Sequence, residues 1–155
     1  MKKYKIRFAV FLILACLVIA FMFYNSTRTG AESNQISKGF MSKILALIDP
    51  SGTINTEVFH RFIRKAAHFT EFFALGVCLV GMTFAVYDGK NRMFLFFPPF
   101  FALLCAVIDE YLQSFTSRSC EVKDVLIDFS GAITGILISL MIGTFARKRK
   151  SRNKR

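Results

Sequence analysis

Four hydrophobic segments, each close to the length a bilayer demands, govern what this chain of 155 residues folds into. They run from Phe8 to Tyr24, Ala66 to Tyr87, Met93 to Phe115 and Val125 to Ala146. A helix needs roughly 20 apolar residues to cross ~30 Å of hydrocarbon, and each segment comes near that figure. A soluble domain of this size has no interior large enough for 54% hydrophobic residues with 19 Phe among them, so a lipid-facing surface must take up the excess. The expected fold is therefore all-α: one polytopic membrane domain over residues 1–155 with four transmembrane helices. Lys2, Lys3, Lys5 and Arg7 precede the first segment as they would in a signal peptide. The apolar run is long, however, and no small-x-small cleavage pattern comes before Asn25, so it reads as a retained anchor. Pro98 and Pro99 lack backbone donors and either kink the third helix or mark its true start.

Charge sets the orientation. Lys and Arg collect in short cytoplasmic loops, and 13 of the 21 basic residues fall at the N-terminus, in the turn holding Lys90 and Arg92, and in the tail 147–155. Only Asp88 opposes them there, whereas the other nine acidic residues lie on the opposite side. Both termini are expected in the cytoplasm. A net charge of +11 would suit nucleic acid, but these charges flank apolar segments and read as topology signals, so no nucleic-acid partner is expected. The outer loop places Ile36, Phe40, Ile44, Leu47 and Ile48 at helical spacing, which predicts an amphipathic helix lying on the outer leaflet or closing over a site. Asp49-Pro50-Ser51-Gly52 ends it, and Asn55 is placed to cap a helix running into the second span. Cys16, Cys78 and Cys105 sit in apolar segments as small fillers, Cys120 lies alone in an outer loop, and no zinc spacing is present.

Ionisable residues gather at one end of the last three segments. Arg61, Arg64, Lys65, His68 and Glu71 recur at helical intervals on the second, with Arg64, His68 and Glu71 sharing a face. Asp109, Glu110 and Gln113 end the third, and Asp124 and Asp128 open the fourth. The fourth continues with Gly131, Gly135, Ser139 and Gly143, a small-residue stripe that predicts close helix packing. A charge left singly in lipid costs a few kcal/mol, so these groups are expected to face one another inside the bundle. Two readings follow: mutually satisfied ion pairs, or a polar pocket open to the outer leaflet. The second suits the number of groups better.

The runs Arg64-Lys65-Ala66-Ala67-His68-Phe69-Thr70-Glu71, Asp109-Glu110-Tyr111-Leu112-Gln113, and Arg118 to Asp124 and Asp128 with Gly131 resemble the VanZ-like family of bacterial membrane proteins, across roughly residues 60–140. Thr116-Ser117 stands where that family often has Pro-Gly. The resemblance implies a multi-pass protein of the bacterial cytoplasmic membrane with a role in the cell envelope, some members being associated with resistance to the glycopeptide teicoplanin. It implies no reaction.

Three functions are open at this point. In the first, Arg64, Lys65, His68, Glu71, Asp109, Glu110, Gln113, Arg118, Asp124 and Asp128 form a binding site for membrane lipid, either a lipid-linked wall precursor or a lipoglycopeptide, since Arg makes paired bonds to phosphate. In the second, His68 and Glu71 with Asp109 or Glu110 are the acid and base of a membrane-embedded enzyme or ligate a metal. That pattern lacks the HExxH spacing and offers no nucleophile beyond Ser114 or Ser117, so neither a cofactor nor a metal is assigned. In the third, the stripe through Gly131, Gly135 and Ser139 packs against a helix of another membrane protein.

Overall fold

The computed structural model describes residues 2–28, 55–86, 92–116 and 121–152, with the isolated positions 44 and 47. Among them lie four α-helices and no strand: α1 (Lys2–Ser26), α2 (Thr56–Val86), α3 (Phe97–Ser114) and α4 (Val122–Arg152), with a 3-10 turn at Arg92–Leu95 before α3. Three helices are long and apolar enough to cross a membrane, within Tyr4–Ser26, Thr56–Val86 and Val122–Ala146. The fourth expected span does not meet that measure. Its helix begins at Phe97 rather than at Met93 and holds 18 residues, about 27 Å at 1.5 Å per residue. It also carries Asp109, Glu110 and Gln113 in its last turns.

The two prolines explain where α3 starts. Pro98 and Pro99 fall in its first turn, where backbone N–H groups have no partner inside the helix, so the rings cost no hydrogen bond. They open the helix and do not kink it. α2 starts as the sequence suggests: the Asn55 side chain accepts hydrogen bonds from the N–H of Glu57 at 2.9 Å and Val58 at 3.3 Å. From there one continuous helix carries the basic residues into the apolar stretch. Of the expected outer-loop helix only Ile44 and Leu47 are described, both helical. Ile36, Phe40, Ile48, Asp88, Lys90, Ser117, Arg118 and Cys120 lie outside the described residues.

α2 is the central element and packs most extensively on α4, then on α1. Its seam with α4 is built on the small residues of both. A Cβ on Gly131 would run into the carbonyl of Phe69, and one on Gly135 into that of Phe73. On α2, Gly76 meets the carbonyl of Ala132 in the same way. With no aqueous hydrophobic force between helices in lipid, such backbone approach is the main source of association. Phe72, Leu75, Leu79, Ala102, Ala106 and Ala132 are buried in the resulting core. Outward faces are apolar too: Phe100 is 70% exposed and Ile142 65%. This is the surface a helix bundle presents to lipid.

Contacts along the helices give their directions. α1 meets α2 through Asn25 with Glu71 at one end and Phe11 with Gly81 at the other, so these two run antiparallel. α2 meets α4 through Lys65 with Asp124 and Phe84 with Gly143, so these run parallel. Ser26 at the end of α1 touches Asp109 near the end of α3. The bundle therefore alternates, and one of its ends holds every polar residue just named except the glycines.

Candidate functional site at the polar end of the bundle

Asp109 lies at the centre of this end and is fully buried. The Ser26 hydroxyl donates to its Oδ1 at 2.6 Å, and the Gln113 amide, one turn further along α3, donates to its Oδ2 at 2.7 Å. A buried carboxylate is held this way by donors that satisfy its lone pairs. His68 Nδ1, from α2, lies 3.8 Å from Asp109 Oδ2 and 3.9 Å from Asp128 Oδ1 on α4. These separations are too long for hydrogen bonds. One donor atom from each of His68, Asp109 and Asp128 lies within 4.8 Å of the other two, so three helices converge on one small volume.

The remaining groups surround that volume. Glu71 Oε1 accepts from the Asn25 amide at 3.2 Å. Glu110 Oε1 accepts from the backbone N–H of Glu121 at 2.7 Å, tying α3 to the start of α4. Lys65 Nζ pairs with Asp124 Oδ1 at 2.7 Å. Asp124 is in the first turn of α4, where a negative charge is favoured by the helix dipole. Arg61 and Arg64 are exposed. A narrow cleft leads inward past Arg64, Lys65, Asp124, Gln113, His68 and Asp128, and it has room for about one water-sized sphere, ≈ 10 Å³.

The ten residues expected at a single site thus separate into two zones, apart from Arg118, which lies outside the described residues. Arg64 and Lys65, with Arg61 a turn away, form a basic rim. Glu71, Asp109, Glu110 and Asp128 form an acidic interior around His68, with Asp109, Glu110 and Asp128 each at most 3% exposed. Asp124 joins the zones through Lys65. His68 Nδ1 approaches carboxylates of α3 and α4, while Asn25 holds Glu71 Oε1. Ser114, a candidate nucleophile, donates its hydroxyl to the carbonyl of Tyr111 at 2.6 Å.

Sequence reasoning missed Asn25 and Ser26. They end the apolar run of the first segment and read there as the first loop residues, yet both sit on the last turn of α1 with their side chains turned into the cluster. The available signal was a polar pair following an apolar helix at the same depth as the ionisable groups of the other three.

The Gly131 and Gly135 stretch of the small-residue stripe is taken up by α2 of the same chain, while Ser139 is half-buried. No curated protein and no solved structure matches the chain. A family model described as VanZ/LLP1 matches residues 11–143, and so takes in most of α1 and the segment that follows it as well as the three helices whose motifs suggested it. With that match running from the first helix into the last turns of the fourth, the chain belongs to the VanZ/LLP1 family.

Proposed function

We propose that this protein crosses the cytoplasmic membrane four times with both termini in the cytoplasm, and that its polar end binds the anionic head group of a lipid-linked wall precursor or lipoglycopeptide in the outer leaflet. Such binding contributes to glycopeptide resistance, teicoplanin being the antibiotic to test first. Family membership supports the envelope role. The parallel run of α2 and α4 supports four crossings, because the chain between them must return across the same thickness, and α3 is the helix that lies there. The excess of basic residues at the other end of the bundle supports the orientation.

The observation that carries the binding reading is the separation of a basic rim from an acidic interior. An anionic head group is drawn to Arg61, Arg64 and Lys65 and repelled by the carboxylates beneath, so it would rest on the rim and not enter the bundle. Guanidinium groups suit phosphate because two N–H donors meet two oxygens. The acid–base reading has less support, since Asn25 holds Glu71 Oε1 and the backbone N–H of Glu121 holds Glu110 Oε1. An outside helix partner at the glycine stripe has less as well, because α2 already covers Gly131 and Gly135.

The test is lipid identification by mass spectrometry on the gently extracted full chain, with teicoplanin susceptibility measured in parallel. Replacing Arg61 and Arg64 by Ala together should weaken head-group retention by about tenfold, equivalent to ~1.4 kcal/mol, and lower resistance. If a well-expressed double variant retains the same lipids and the same susceptibility, the reading is wrong.

A further inference from the structure

The acidic interior has a composition and a geometry that the basic rim does not explain. Asp109 and Asp128 are both buried, at 0% and 2% exposure, and they face one imidazole nitrogen from two different helices. Asp128 Oδ2 has no hydrogen-bond partner among the described residues, although the side chain is almost wholly enclosed. Leaving such an oxygen unmatched in a low-dielectric interior is unfavourable and is not the arrangement close packing alone selects.

We propose that His68 Nδ1, Asp109 Oδ2 and an oxygen of Asp128 ligate one divalent first-row transition-metal cation, of the Mn²⁺ or Zn²⁺ class. Three aspects of the site point there. First, atoms separated by 3.8 and 3.9 Å are too far apart to bond one another but close enough to share an ion. With the third side at most 4.8 Å, a cation at the centre of such a triangle lies about 2.2–2.5 Å from each atom, up to a few tenths of an ångström beyond ordinary ligand bonds of about 2.0–2.2 Å. Second, two carboxylates and a neutral imidazole neutralise a charge of +2, so a bound divalent ion lets both acids ionise side by side. One nitrogen with two oxygens is a set for borderline cations; Mg²⁺ and Ca²⁺ favour oxygen throughout.

Third, the surroundings are those of a ligand set. Asp109 is oriented by Ser26 and Gln113, donors of the kind that hold ligating carboxylates in place, and Oδ2 retains a second lone pair for the ion. His68 and Asp128 also line the cleft, whose volume of ≈ 10 Å³ admits one water at a time, so three protein ligands would leave a coordination position reached from the rim. The cation site stands independently of head-group binding.

The test uses the full chain, extracted in detergent, stripped with chelator and titrated with Mn²⁺ and separately with Zn²⁺. The expected result is about one ion per chain, with affinity falling about a hundredfold or more in Asp128→Asn and in His68→Gln, and about tenfold in Ser26→Ala. Asp128→Asn keeps size and shape; thermal melting in detergent verifies that each variant is folded. Electron spin echo of bound Mn²⁺ gives a second measure that does not depend on any variant: the wild type should show ¹⁴N modulation from one imidazole. Absence of stoichiometric binding in folded wild type overturns the proposal. So does binding that survives both ligand substitutions, or bound Mn²⁺ without nitrogen coupling. Arg64→Ala should retain the ion, so loss of head-group binding in that variant and loss of metal in Asp128→Asn are separate outcomes.

Discussion

At the scale of single residues, the protein depends on a few buried groups whose partners come from far away in the chain. Asp109 accepts from Ser26, 83 positions earlier, and Glu71 from Asn25, 46 positions earlier. Asp109→Ala would leave the Ser26 hydroxyl and the Gln113 amide without the acceptor each has in the buried cluster. We expect a loss of about 3 kcal/mol, read as a lower melting temperature in detergent, with Asp109→Asn markedly milder because an amide oxygen can still accept. Asn55→Ala tests a different local feature. It removes the acceptor for the Glu57 and Val58 N–H groups and should cost about 1 kcal/mol, without changing the lipids retained. These two sites also show what a sequence can and cannot disclose. The Asn55 cap was legible because a cap acts within its own turn. The role of Ser26 was not, because nothing next to it in sequence signals an aspartate on another helix.

At the scale of elements, hydrophobic length and small-residue spacing carried most of the information. The stripe through Gly131 and Gly135 was visible as a packing seam, and its partner proves to be α2 within the same chain. Gly131→Ala and Gly135→Ala each place a methyl group against a backbone carbonyl that cannot move aside, so each should destabilise by about 1–3 kcal/mol through helix separation. Gly143→Ala places its methyl group against the ring of Phe84, a side chain and not a backbone carbonyl, and should cost less. Melting the three variants side by side checks that order. The extent of α3 was harder to read. Apolar content suggested a span from Met93 to Phe115, but Pro98 and Pro99 set the start, and Asp109, Glu110 and Gln113 make its last turns polar. Those residues reduce its likeness to a lipid-facing helix because they face its three neighbours.

At the scale of the whole molecule, the alternating bundle turns scattered motifs into one polar end. α1 and α3 finish there, and α2 and α4 begin near it, so residues 25, 68, 109 and 128 become neighbours. That convergence was legible for the last three segments, whose ionisable residues had no low-energy place except together. The division into a basic rim and an acidic interior was not, because it depends on which side of each helix faces inward and how far. On the two proposals made above, the zones have separate tasks, a head group above and a cation beneath. The whole account rests on the polar end facing outward, and labelling with a membrane-impermeant maleimide in intact cells tests this most directly. With Cys16, Cys78, Cys105 and Cys120 replaced by Ala, Arg64→Cys should be labelled from outside, while Lys90→Cys should react only after the membrane is permeabilised. Protection of position 64 together with labelling of position 90 in intact cells would contradict the account.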